Sequence, residues 1–269
     1  MEFPQTYGPL ASYTGTMSES ESGQNEYIYE SQSDLVIGVD FGTTFSGVAW
    51  AHTEHFTNTT DKNKILEKIN VVRAWPGHGQ ADKIPSVLSY NHSPPSWGFK
   101  VKDTDSQRVG HFKLGLQRNV REHYPTTPVS KTSILGGYIN DHNWHHPDLP
   151  GKKALDFTAD YLKAITNYVT KESLARVYAP EFLQGQKVSY VITVPAIWGN
   201  EAKELTKQAA ERAGIERRNL ILITEPEAAA LYCIRLFEQG DINVGDRFLI
   251  CDAGGGTVVE AVVTSLLIN

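Results

Sequence analysis

The chain has few sulfur-containing residues and no long apolar run. Its 269 residues include only Cys233 and Cys251, too few for a disulfide scaffold or a cysteine-based zinc site. No stretch approaches the roughly 18 apolar residues of a membrane span, and the first thirty residues lack the basic start and apolar centre of a secretory signal. A hydrophobic content of 40% is still ample for a buried core. We therefore expect a globular cytoplasmic protein without a membrane partner.

Basic residues are absent up to residue 34, and over the rest of the chain they do not outnumber the acidic residues. The formal net charge is −6, and it equals the number of carboxylates up to residue 34 that no Lys or Arg opposes. These carboxylates belong to Glu2, Glu19, Glu21, Glu26, Glu30 and Asp34. Proteins that bind nucleic acid carry a basic patch or stripe, so the sequence predicts no nucleic-acid partner.

The chain divides into an acidic start and a patterned remainder. Residues 1–33 are rich in Ser, Glu, Gly and Gln, a composition that cannot offset the entropy cost of ordering, and we expect a disordered tail. From residue 34 onward, apolar strand-like runs alternate with segments of helical periodicity, which predicts an α/β fold. The predicted strands cover 35–39, 45–50, 188–194, 220–223 and 247–251, and the predicted helices cover 152–176, 202–213 and 226–238.

Two Asp-x-Gly turns, one near each end of the patterned region, form an internal repeat. The first is Asp40-Phe41-Gly42-Thr43-Thr44 and the second is Asp252-Ala253-Gly254-Gly255-Gly256-Thr257. Glycine permits a tight turn with exposed amides, and successive N–H groups form a concave nest that accepts a phosphate. A carboxylate at the strand end can hold Mg²⁺ through water. Either turn alone is compatible with an ordinary β-turn; the pair predicts two hairpins that clamp one polyphosphate.

Further motifs in the same order give the chain a family resemblance. It resembles the nucleotide-binding domain of the seventy-kilodalton heat-shock (DnaK-type) chaperones, within the actin-like ATPase superfamily of ribonuclease H-like fold. The resemblance covers residues 35–258 and rests on the segments 36–44 (VIGVDFGTT), 84–86 (IPS), 191–196 (VITVPA), 224–230 (TEPEAAA) and 252–257 (DAGGGT). It implies a first lobe over 34–240 with an inserted subdomain over 52–151, and the start of an incomplete second lobe over 241–269.

The resemblance also implies a Mg-ATP site, with ATP hydrolysis if the site is complete, and protein clients or co-chaperones as partners. It implies four catalytic residues, namely Lys102, Glu225, Asp252 and Thr257. It implies that phosphate is bound by Gly42, Thr43, Thr44, Phe45, Gly254, Gly255 and Gly256. It implies that Asp40 and Asp252 hold the metal through water.

Two of these assignments compete with simpler interpretations. Lys102 is chosen by its distance from Gly98, and either the neighbouring Lys100 or an ordinary solvated lysine is the alternative. Glu225 could instead be one more acidic residue favoured by the dipole at a helix start. Glu227 fits a capping box with Thr224 and is expected to be structural.

The second motif departs from the family pattern. Where the resemblance implies an aspartate after the turn, the chain has Val259, and Glu260 lies one residue later, on the opposite face of a strand. Two other functions therefore remain open. One is a non-catalytic remnant that acts only by binding proteins; the other is a sugar or acetate kinase of the same superfamily, against which the 225–228 segment (EPEA) argues.

Overall fold

The structure is a computed structural model that describes residues 16–19, 25–28, 34–55, 67–117, 146, 148–236, 246–253 and 258–264. Its strands are β1 Thr16–Glu19, β2 Asn25–Ile28, β3 Leu35–Asp40, β4 Phe45–His52, β5 Asn70–Val71, β6 Ile84–Pro85, β7 Val87–Ser89, β8 Ser96–Trp97, β9 Arg108–Gly110, β10 Val188–Val194, β11 Leu220–Thr224, β12 Arg247–Ala253 and β13 Val258–Thr264. Its α-helices are α1 Ala154–Tyr168, α2 Pro180–Gln184, α3 Asn200–Arg212 and α4 Glu225–Leu236.

A mixed sheet forms the centre of the fold, with strand order β11-β10-β3-β4-β5 and with β6 added against β4. β10 runs parallel to both β3 and β11, whereas β3 and β4 form an antiparallel hairpin. The parallel strands are linked through helices, as such connections require. The predicted α/β class is confirmed.

The core lies between this sheet and α1. Alternate residues of β3, namely Leu35, Ile37 and Val39, are at most 1% exposed, as the period of a strand requires. α1 buries one face against the sheet and against the 3₁₀ helix Phe112–Leu116. That face consists of residues spaced three and four apart, including Phe157, Tyr161, Leu162 and Ile165.

Local signals at helix ends match the structure. Gly214 has φ of +98°, a left-handed conformation suited to glycine, and it follows the end of α3, where a helix commonly stops at such a residue. At the start of α4, the Thr224 amide donates to Glu227 Oε2 at 2.9 Å, and the Glu227 amide donates to Thr224 Oγ1 at 3.4 Å. The predicted capping box is confirmed.

The segment predicted to be an inserted subdomain contains more regular structure than its composition suggests. β7 pairs with both β8 and β9 in a small antiparallel sheet. Ile84, Leu88 and Val109 from this region belong to the same buried cluster as β3 and α1. The strands here are two or three residues long, too short for a periodicity to show. The division of the chain into lobes stays a prediction.

Two strand pairs stand apart from the central sheet. β1 pairs with β2 inside the stretch predicted to be a disordered tail, so these two segments differ from that prediction; the rest of 1–33 lies outside the described residues. Pairing between neighbouring segments costs little loop-closure entropy. β12 and β13 form a separate two-stranded ribbon that contacts α4. Among the described helices, none has the length and hydropathy needed to cross a membrane.

Candidate functional site

The first Asp-x-Gly turn connects β3 to β4, as predicted, and it is unusually tight. A Cβ added to Gly42 would lie 2.0 Å from the carbonyl oxygen of Phe45, so only glycine fits this close approach. Among the described residues, no hydrogen-bond partner is recorded for the amides of Gly42, Thr43 or Thr44. Three successive amides without partners are the feature that an anion-binding nest requires.

Ser86 fixes the carbonyl groups of this turn. Its amide donates to Thr44 O at 2.8 Å, and its Oγ donates to Gly42 O at 2.8 Å. Ser86 is 1% exposed, and its hydroxyl also lies 2.8 Å from Ser46 Oγ. The 84–86 segment therefore holds the turn's carbonyls from one side, which leaves its amides as the groups open to a ligand.

Asp40, at the end of β3, has both carboxylate oxygens engaged. Oδ1 accepts a hydrogen bond from Thr193 Oγ1 at 3.1 Å, and Oδ2 lies 2.7 Å from Lys83 Nζ. Thr193 lies on the neighbouring strand β10, and its Oγ1 also accepts a hydrogen bond from the Phe41 amide at 3.2 Å. The Asp40 side chain remains 43% exposed, so water or a hydrated cation can still reach it.

Lys113 is the buried cation of the site. Its Nζ lies 2.6 Å from Glu225 Oε1 and donates to the backbone carbonyl of Phe41. The ammonium also lies 5.4 Å from the centre of the Phe41 ring and 5.6 Å from that of Trp198, within cation–π range. The side chains of Lys113 and Glu225 are 3% and 11% exposed. A 3₁₀ helix, the first turn and the start of α4 therefore meet at one ion pair.

The structure does not bring Lys102 to the turn. Lys102 is exposed in the loop that precedes β9, and its amide donates to Asp105 Oδ2 at 3.1 Å. The distance from Gly98 selected Lys102, which precedes β9. The lysine that contacts Phe41 is Lys113, which lies beyond that loop and beyond β9. A signal for Lys113 was present in the sequence, since it is the single charge in the apolar run Phe112–Leu116. A lysine is rarely buried unless it is paired.

Relatives of this chain are heat-shock proteins of the seventy-kilodalton class. Human Heat shock 70 kDa protein 12A is 30% identical over 87% of this chain, human Heat shock 70 kDa protein 12B is 27% identical over 91%, and Chaperone protein HscA of Salmonella agona is 27% identical over 84%. No family model matches the chain. The chain is a divergent member of the seventy-kilodalton heat-shock protein family. It spans about a third of the length of these relatives, with 34%, 34% and 32% covered.

The second phosphate motif of this heat-shock family chain is only partly described. Gly254, Gly255, Gly256 and Thr257 lie outside the described residues, so their predicted roles stay predictions. Asp252 lies near the end of β12, where its cross-strand partner is Val259. Glu260 pairs with Cys251. The register places Val259 opposite Asp252, and the prediction that Glu260 faces the other side of the strand stays a prediction.

The residues of this family member suit a nucleotide phosphate accompanied by hydrated Mg²⁺. The amides of the first turn, which no described residue engages, can donate hydrogen bonds to anionic oxygens, and the half-exposed Asp40 carboxylate can bind water on a metal that keeps its hydration shell. Asp40, Glu225, Lys83 and Lys113 bring two negative and two positive charges to the turn. A bound anion would therefore not meet a net negative charge from these four groups.

One cavity among the described residues lies away from this site. It has a volume of about 440 Å³ between the end of the 3₁₀ helix, the first turn of α1 and one side of α3, and residues such as Gln117, Lys153, Glu201 and Arg212 line it. Neither Asp40, Lys113 nor Glu225 contributes to it. The ionic constellation at the first turn, rather than this cavity, carries the chemistry that the sequence motifs predict.

Proposed function

We propose that this chain is the ATP-binding portion of a chaperone-like ATPase, and that its first turn holds the phosphates of the nucleotide. The observation that carries the proposal is the buried Lys113–Glu225 pair, which lies against Phe41 next to three turn amides that have no hydrogen-bond partner within the described part of the chain. The heat-shock family of the relatives supports it. A buried ion pair is weak support for stability alone, whereas its position beside an anion nest suits phosphate chemistry.

The proposed roles follow from the chemistry of each group. The amides of Gly42, Thr43 and Thr44 hold phosphate oxygens. The Lys113 ammonium offsets negative charge on the terminal phosphate, in a reaction that depends mainly on positioning and electrostatics. Glu225 accepts a hydrogen bond from the attacking water. Mg²⁺, when bound through water near Asp40 and Asp252, would neutralise phosphate charge.

Hydrolysis is proposed to be slow, because position 259 carries no carboxylate. The turn over 254–257 would close on the nucleotide from the other side, with Thr257 beside the terminal phosphate. The wider role is proposed from the relatives, one of which is named as a chaperone. Protein clients or co-chaperones are the proposed partners, and the cytoplasm is the proposed location.

Equilibrium titration with Mg-ATP tests the binding claim. We expect saturable binding by the unaltered chain, and weaker binding after Asp252→Asn, since a negative charge beside the metal is removed without a change of volume. Glu225→Gln should keep binding and slow any hydrolysis by about 10²–10⁴-fold, the usual contribution of a positioned acid–base group. Glu172→Gln, at an exposed position, is the matched control and should leave both unchanged.

The outcome also separates the rival functions. Absence of saturable binding by the unaltered chain would reject nucleotide binding and favour a role through protein contacts alone. Transfer of phosphate from ATP to a small hydroxylated or carboxylated compound, rather than to water, would favour the kinase alternative.

A further inference from the structure

Lys83 occupies the position beside Asp40 where the sequence predicts a metal. Its ammonium lies 2.7 Å from Asp40 Oδ2, while Thr193 holds the other carboxylate oxygen. The Asp40 carboxylate therefore already has a cation on one of its two oxygens. None of the motifs that carry the family resemblance includes this lysine.

The fold provides a dedicated path for this side chain. Gly47 is the cross-strand partner of Asp40, and Ile84 pairs with Ser46, so Lys83 enters the sheet edge next to Gly47. A Cβ added to Gly47 would lie 3.6 Å from Lys83 Cγ and 3.9 Å from Asp40 Cβ. Gly47 has no positive φ, so its backbone conformation does not require glycine. Its lack of a side chain leaves space over this position of the sheet. The Lys83 stem crosses that space to reach Asp40.

The ion pair is open enough to exchange partners. The side chains of Lys83 and Asp40 are 54% and 43% exposed, and pairs of this kind contribute little to stability. An ammonium on a flexible stem can therefore move to a phosphate oxygen bound at the turn. Lys113 is 3% exposed and held by Glu225 and Phe41, so it cannot move in this way without leaving a buried carboxylate unpaired.

We propose that Lys83 is a resident cation of the phosphate site, which balances Asp40 when no metal is present and contacts phosphate when nucleotide binds. This inference rests on the proposed nucleotide binding, and it specifies how ATP binding depends on the divalent cation. The chain should bind ATP with only a weak requirement for Mg²⁺, because part of the positive charge is built in. Conversely, Lys83 should compete with a divalent cation for Asp40.

The test compares ATP titrations in Mg²⁺ and in EDTA for the unaltered chain, for Lys83→Met and for Lys163→Met. The first substitution keeps the apolar stem and removes the charge, and the second removes a charge from an exposed position of α1 as the control. Lys83→Met should weaken ATP binding in EDTA by about tenfold or more, as expected for the loss of one charge-assisted contact to phosphate. In Mg²⁺ the loss should be smaller.

A second readout needs no nucleotide. Mn²⁺ binding to the free protein, followed by electron paramagnetic resonance, should tighten in Lys83→Met because the competing ammonium is gone, and Asp40→Asn should abolish that gain. Equal Mn²⁺ binding in the unaltered chain and Lys83→Met would overturn the inference, as would ATP binding in EDTA that is the same in Lys83→Met and Lys163→Met. Failure of the unaltered chain to bind ATP in either buffer would instead reject the proposed function.

Discussion

The two hairpins that carry the Asp-x-Gly motifs differ sharply in their surroundings. β3–β4 lies inside the central sheet, with Ile37 and Phe41 fully buried and its turn held by Ser86, Thr193 and Lys113. β12–β13 is a two-stranded ribbon of its own, and Leu249 in it is 63% exposed. Among the described residues, the strands that flank the first motif therefore belong to the central sheet, whereas the strands that flank the second form a separate pair that contacts α4.

This difference shows that the turn sequence alone does not make a site. An isolated two-stranded hairpin is marginally stable in water, so precise positioning of a phosphate must come from residues packed around the turn. In the first hairpin those residues are Ser86, Lys113 and Thr193, which lie 44, 72 and 152 positions along the chain from the turn residue that each contacts. We therefore expect substitutions in the first hairpin to cost more stability than substitutions in the second.

Removing the buried cation should have the largest effect. Lys113→Met leaves the Glu225 carboxylate almost buried without its partner, which should lower the free energy of unfolding by about 3–5 kcal/mol. The double variant Lys113→Met/Glu225→Gln should recover much of that loss, because no buried charge remains. Urea unfolding of the single and double variants measures this, and equal destabilisation in both would show that the pair is not coupled.

Matched apolar truncations compare the hairpins directly. Ile37→Ala removes a fully buried side chain from β3 and should cost about 2–5 kcal/mol of unfolding free energy. Leu249→Ala removes an exposed side chain from β12 and should cost at most about 0.5 kcal/mol. The measurement is again urea unfolding. Similar costs at the two positions would remove the contrast between a hairpin inside the central sheet and a separate two-stranded ribbon.

The tightness of the first turn can be tested with one methyl group. Gly42→Ala forces a Cβ toward the Phe45 carbonyl, so the turn must open at a cost of about 1–3 kcal/mol. Gly79→Ala is the control, because a Cβ there meets nothing within 4 Å. Thermal unfolding should separate the two variants. If Gly42→Ala and Gly79→Ala have the same melting temperature, the close approach in the turn is not a constraint on the fold.

The smallest effect concerns pH and lies in the core behind the turn. Burial raises the pKa of Tyr161 to about 12, although hydrogen bonds from Ser46 and Ser86 lower it in part. The folded state therefore keeps this proton when the unfolded state loses it near pH 10, so stability is complete below pH 10 and falls as the pH rises towards 12. The loss at pH 11 should be about 1.4 kcal/mol.

Tyr161→Phe should remove this part of the alkaline slope, whatever its effect at neutral pH through the lost bond to Pro85 O. Unfolding curves at pH 9, 10 and 11 provide the measurement. An unchanged slope in the variant would assign the alkaline loss of stability to other groups.

Local patterns in the sequence predicted much of this fold. The β3–turn–β4 hairpin, β10, the glycine after α3 and the Thr224–Glu227 capping box all follow from periodicity or from contacts within a few residues. The roles of Lys113 and Lys83 did not follow, because each meets its partner across a long stretch of chain. Lys113 reaches Phe41 over 72 residues and Lys83 reaches Asp40 over 43. Such pairs depend on the packing of several elements, which no local pattern encodes.

The central claim is that the first turn binds phosphate through its own amides. An amide-resolved NMR titration of the isotope-labelled chain with ATP tests it most directly. Saturable shifts should centre on the amides of Gly42, Thr43 and Thr44 and extend to Lys113, while Gly79 stays unchanged. ATP binding that leaves those three amides unperturbed, or that shifts residues around the cavity between α1 and α3 instead, would contradict the account.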